Sequence, residues 1–207
     1  VDEHTTQAIG MLAQIEAGEL EDEHPLSHDI IHKVLSRRVL YVSVLLHDIA
    51  KGRGGDHAVL GARIAKKLCP RFGMTPEETE TVAWLVLHHL DMSRTAFKRD
   101  VQDPKTIIDF TDNVQDLERL RLLLILTVAD IRAVGPGTWN GWKGQLLREL
   151  YHRAEEALSG GMSGEGAKAR VEHAKLALAE DLPNWPGHAV QSHLDRFYDS
   201  YWLSAET

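Results

Sequence analysis

The chain carries one cysteine, Cys69, among 207 residues. An internal disulfide is therefore impossible, and a reducing, cytoplasmic setting is expected. Long apolar runs are missing too. A membrane helix needs roughly 20 apolar residues, whereas the longest stretch here, Val39–Leu46, is interrupted by Ser43. Neither a membrane span nor a secretory leader is expected. Basic residues are in deficit: 23 Lys and Arg stand against 31 Asp and Glu, a formal net charge of −8. That balance argues against a nucleic-acid binder, which shows a basic face, but leaves room for a local phosphate site. The chain opens with Val1-Asp2-Glu3 rather than Met, and it reads as a domain cut from a larger protein.

Strand alternation is absent as well, and helical periodicity runs throughout. His4, Ala8, Met11, Leu12 and Ile15 share one helix face, which puts His4 at its inner edge. A helical region over Ser27–Ile49 ends in His47-Asp48. Three glycines in Lys51-Gly52-Arg53-Gly54-Gly55 break it, and Asp56 caps a further helix whose first turn holds His57. Thr75-Pro76-Glu77-Glu78 is a capping-box start for a helix with Val82, Leu85, Val86 and His89 on one stripe and His88 one step round. Asp103-Pro104 opens another short helix. Asp116 to about Ala133 forms a long apolar one with Asp130 near its end, stopped by Gly135-Pro136-Gly137. Trp139 to Leu158 is amphipathic. The fold class is all-α: a helical core over residues 1–158, with a looser helical pair over 159–207 packing on it.

Seven residues on these helices are metal ligands by type: His4, His47, Asp48, His57, His88, His89 and Asp130. A lone histidine on an apolar face is more often a hydrogen-bonded core residue. Here several share one habit, placement at an apolar edge near a helix end. An aspartate beside Leu124–Val128 carries a heavy desolvation cost unless a cation or hydrogen bonds offset it. Buried His–Asp pairs explain any two of these residues, and all seven poorly. Lys51, three residues beyond Asp48, is placed either to contact a phosphate or to complement a helix dipole.

The order His4, His47-Asp48, Asp130 resembles the signature of the HD superfamily of metal-dependent phosphohydrolases, and His57 with His88-His89 resembles its two-metal branch. The resemblance implies an HD-domain helical bundle. One metal would be held by His4, His47, Asp48 and Asp130, and a second by Asp48, His57 and the histidine pair. Adjacent helical residues point about 100° apart. Periodicity favours His89 facing inward, while the superfamily pattern favours His88 at least as strongly, so either one could orient a ligand instead of being one.

Longer stretches are similar to one family, the bifunctional uridylyltransferase/uridylyl-removing enzymes of nitrogen regulation. They include His47 through His57, His88-His89-Leu90 with Met92-Ser93-Arg94-Thr95, Asp103-Pro104-Lys105-Thr106, and Leu126 through Lys143. The resemblance implies a hydrolase that removes UMP from a modified tyrosine of the signalling protein PII. It also implies Mn²⁺ or Mg²⁺ as cofactor (Fe or Zn as alternatives), Asp48 and Lys51 in catalysis, and Lys51 and Arg132 at the phosphate. Nothing like that family's nucleotidyltransferase domain or its glutamine-sensing ACT domains is present, so transferase activity is not expected.

Arg132 reads more readily as a helix C-terminal cation. Trp139 and Trp142, at i and i+3, read as core packing, with stacking on uracil or on bound protein as the alternative. The competing functions are an HD hydrolase acting on a free or signalling nucleotide, and a non-catalytic PII-binding module.

Overall fold

The computed structural model describes residues 2–161 except 136, together with Lys175, Leu178, Ala179, Leu182, Trp185, Gly187, Val190 and Leu194. The expected helical pair over 159–207 lies almost wholly outside the described residues. All regular structure among the described residues is helical: α1 (Asp2–Glu16), α2 (Pro25–Ile31), α3 (Arg37–Leu46), α4 (His57–Leu68), α5 (Pro76–His88), α6 (Asp91–Lys98), α7 (Pro104–Val114), α8 (Leu117–Ala133) and α9 (Gly141–Glu156). A 3₁₀ turn follows α4 at Cys69–Phe72, and a π turn follows α9 at Ala157–Gly161. By internal contacts the chain divides into a unit of Val1–Glu155 and a unit of Glu156–Thr207. No helix among the described residues is long and apolar enough to cross a membrane.

Helix α8 is the axis of the first unit. Its residues Leu122 through Ala129 are all buried, the pattern of a helix covered on every side. Helices α1, α2, α3, α5, α6 and α7 pack on it, and α4 lies on α5. Gly61 permits that last contact: a Cβ there would meet Val86 Cγ1 at 2.9 Å. Helix starts follow from side-chain oxygens that take up orphan amides. Asp56 accepts from the amides of Ala58 and Val59, Asp103 from Lys105, and Asp116 from Arg119. Thr75 and Glu78 close the capping box that opens α5.

Two expectations are corrected, and one helix goes unread. The helical region over Ser27–Ile49 is two helices, because the Leu35 amide donates to Glu118 Oε1 at 2.7 Å and Ser36 caps a fresh start at Arg37, its hydroxyl accepting from the Val39 amide. Helix α6 goes unread in the sequence, since only Met92 and Ala96 of its eight residues are buried, too few to set a period. Trp142 is 65% exposed, so it is not core; it sits on the outer side of α9's first turn, while Trp139 before the helix packs inward.

Candidate metal centre

The ends of five helices converge at one place. His4 comes from the first turn of α1, His47 caps the end of α3, Asp48 follows it, His57 opens α4, His89 caps the end of α5, and Asp130 lies in the last turn of α8. Three of these contributions come from helix C-terminal ends, whose partial negative charge favours a cation.

His47 and His89 use the same device. Each turns its Nδ1 back on its own helix, to the carbonyl of Val44 and of Val86 respectively, at 2.7 Å. A carbonyl can only accept, so Nδ1 carries the proton in both and Nε2 presents a lone pair. Those lone pairs face carboxylates. His47 Nε2 lies 3.4 Å from Asp130 Oδ1 and 3.7 Å from Asp48 Oδ2, and His89 Nε2 lies 3.9 Å from Asp48 Oδ1. Acceptor facing acceptor in a buried site is repulsive unless a proton or a metal ion stands between them.

Asp48 divides the cluster, and its two oxygens face different histidines. Oδ2 lies toward His4 and His47, at 4.0 and 3.7 Å, and Oδ1 toward His57 and His89, at 3.6 and 3.9 Å. Two groups therefore form, His4–His47–Asp48 and Asp48–His57–His89, each with ligand atoms within 4.8 Å of one another. Asp130 adjoins the first: its Oδ1 is 2.8 Å from His4 Nε2. Donors bound at about 2.1 Å are roughly 3.0–3.4 Å apart at coordination angles of 90–109°, so modest contraction around an ion brings these atoms into place. The residues fit metal. Four imidazole nitrogens with two carboxylates suit Mn, Fe or Zn better than the oxygen-seeking Mg.

Electrostatics differ from residue to residue. Burial works against charge on the 2%-exposed Asp48, but Lys51, whose Nζ is 2.6 Å from Oδ2, and then His47 bring its pKa below the usual carboxylate value. Burial likewise opposes Asp130, yet the neighbouring imidazoles, His47 first and then His4 and His89, lower it. Burial also opposes a charged His47, but Asp130 outweighs it and the His47 pKa stands above the ordinary imidazole value. Burial, aided by His47, pushes His89 down. A proton suits the His47 side; at His89 a proton is disfavoured, and the cation that fits is a metal.

His88 is not brought into either group. Its ring lies tilted over Trp84 at 4.8 Å, its Nδ1 is 2.7 Å from Asp91 Oδ2, and Asn113 Nδ2 donates to that same oxygen at 2.9 Å. The cause is the 100° helical step: the stripe that buries His89 turns His88 sideways. Arg132 pairs with Glu23 at 2.8 Å. Sequence reasoning missed the Lys51–Asp48 and His88–Asp91 pairs, whose i, i+3 spacing was the available signal, and the Asn113 support of Asp91, 22 residues away, which had none.

The HD domain model matches residues 1–134. The chain belongs to the HD domain family. It is also similar to proteins called bifunctional uridylyltransferase/uridylyl-removing enzyme. Identity is 63% over 209 residues to that of Azospirillum brasilense, 57% over 206 to that of Rhodospirillum rubrum, and 52% over 208 to that of Gluconobacter oxydans. Each match covers 100% of this chain and 22% of the relative, so the chain spans about a fifth of the length of the relatives it matches.

Proposed function

We propose that this HD domain is a metal-dependent phosphodiesterase that removes UMP from a uridylylated tyrosine of PII. The observation that carries the reading is Asp48, buried and facing two histidine groups with its two oxygens. A carboxylate so placed suits a bridge between two ions. In this reading His4, His47, Asp48 and Asp130 hold one ion and Asp48, His57 and His89 the other, with Mn²⁺ the expected metal, favoured over Mg²⁺ by the nitrogen-rich donor set. His88, braced by Asp91, borders the site without joining either group. The uridylyl group is inferred from the relatives, which are called uridylyl-removing enzymes and match along the whole of this chain.

Divalent ions at such a site lower the pKa of a bound water and neutralise phosphoryl charge. Around them the protein's own groups orient the reaction. Water oxygen adds to phosphorus, the bond from phosphorus to the tyrosyl oxygen breaks, and that oxygen leaves to take a proton. Lys51, 57% exposed beside Asp48, can swing its ammonium from the carboxylate to a phosphoryl or leaving oxygen. Arg132 is the further cation at the rim. A nucleotidyltransferase domain and glutamine-sensing ACT domains would accompany this one in a longer parent protein.

The test is release of UMP from uridylylated PII by the Mn²⁺-loaded protein, run beside a panel of free nucleotides. UMP release supports the reading. Hydrolysis of free nucleotides alone would assign the site to small-molecule substrates, and PII binding without any hydrolysis would make the domain a binding module.

A further inference from the structure

A cleft of about 510 Å³ is lined by Gln7, Met11, Arg132, Gly135, Gly137 and Trp139 among others. Its position follows from the helices. Gln7 and Met11 lie three and seven residues beyond His4 on α1, and Arg132 lies two beyond Asp130 on α8. At 1.5 Å per residue the cleft begins roughly 5–10 Å along α1 from the His4–Asp130 pair. That offset suits a group one ribose away from a phosphorus at the metals.

The wall of the cleft is built. The Trp139 indole meets the His24 ring edge-on at 4.5 Å, and α9 comes close enough that a Cβ on Gly144 would sit 3.0 Å from Trp139 Cζ2. Lys143 pins the loop that carries Trp139, its amide donating to Asn140 Oδ1 at 2.8 Å and its Nζ to the Thr138 carbonyl at 2.6 Å. Gly135 and Gly137 have φ of +129° and +91°, a region that favours glycine, and without side chains they leave the floor open. The Gln7 side chain is exposed at the rim. Its carboxamide offers an acceptor and donors together, the complement of a pyrimidine's polar edge. An aromatic plane with one adaptable polar group is what a nucleobase requires.

We propose that this cleft is the base subsite of the hydrolase, with the pyrimidine stacked on Trp139 and its edge met by Gln7. The assignment rests on the uridylyl-removing reading and extends it: metals and Lys51 take the phosphate, and Trp139 with Gln7 take the base.

Calorimetric titration of the Mn²⁺-loaded protein with UMP and with ribose 5-phosphate tests it. The wild-type chain should bind UMP at least roughly tenfold more tightly, since stacking of a base on an aromatic ring is a substantial interaction. Trp139→Leu and Gln7→Leu should each reduce that preference while leaving ribose 5-phosphate affinity unchanged. Trp139→Leu risks disturbing the loop, so Gln7→Leu, at an exposed helical position, is the variant that keeps the test valid. Equal affinity for the two ligands in the wild type would overturn the proposal, as would retention of the full preference by Gln7→Leu in company with a folded Trp139→Leu. Measured in parallel, UMP release from PII without any base preference overturns the cleft alone, whereas neither release nor UMP binding overturns the cleft and the functional reading together.

Discussion

Lys51 Nζ lies 2.6 Å from Asp48 Oδ2, the carboxylate oxygen that faces His4 and His47. A lysine and a metal ion thus have claims on the same oxygen. Asp48 is buried, and without metal the ammonium is its nearest cation. Removing one partner of a buried pair is costly because the other charge remains.

Lys51→Ala should therefore lower the melting temperature of the chelator-treated protein more than that of the metal-loaded one. It should retain metal and slow UMP release by roughly 10²–10³-fold, the scale of a lost transition-state contact. Thermal melts with and without Mn²⁺, together with single-turnover rates, check both parts. Loss of metal from Lys51→Ala would remove the role assigned to it.

Metal should also stabilise the unmodified chain, because it separates the lone pairs of His47 and His89 from the carboxylates they face. Ligand at 100 times its Kd contributes about 2.7 kcal/mol, which for a chain of this size corresponds to a rise of roughly 5–10 °C. Differential scanning calorimetry before and after EDTA measures it. An unchanged melt would mean that protons and hydrogen bonds alone satisfy the site.

His88 and His89 are neighbours with different expected phenotypes. His89→Ala removes a donor from the Asp48–His57–His89 group and should lose one metal equivalent. His88→Ala removes a ring held by Asp91 and Trp84 and should keep both ions. Metal analysis of the two variants distinguishes them; equal losses would put His88 among the ligands.

That pair marks how far the sequence could be read. Ligand types and helix ends were legible, because capping signals such as Thr75–Glu78 and the breaker Lys51–Gly55 are local. The inward face of α8 was legible from its run of leucines. The stripe of Val82, Leu85 and Val86 already favoured His89 facing inward, but the support that holds His88 aside was hidden, since Asn113 lies 25 residues away. The break at Leu35 was likewise hidden, because the group that takes its amide, Glu118, lies 83 residues away. Trp142 followed the same i, i+3 logic as a core residue and lies outside; the spacing was right and the phase was unavailable.

His24 gives a pH dependence. It is 4% exposed, its Nε2 has no hydrogen-bond partner, and burial followed by the charge of Arg132 lowers its pKa to about 4. Between that value and the unfolded 6.5, the unfolded chain binds the extra proton and the folded chain does not. Stability from this residue is therefore fully present above pH 6.5 and is lost as pH falls, by up to about 3 kcal/mol near pH 4. Urea denaturation of wild type and His24→Leu at pH 7 and pH 5 tests it: the variant should lose less stability on acidification. An equal or larger loss would show that His24 titrates normally in the folded chain.

The central claim is that Asp48 joins two ions in one hydrolytic site, and the direct measurement is metal content together with UMP release for wild type and Asp48→Asn. The account predicts two ions per wild-type chain with UMP released from uridylylated PII. Asp48→Asn should lose at least one ion and release no detectable UMP. Near-normal release by Asp48→Asn, or full activity in wild type stripped of metal, would contradict it.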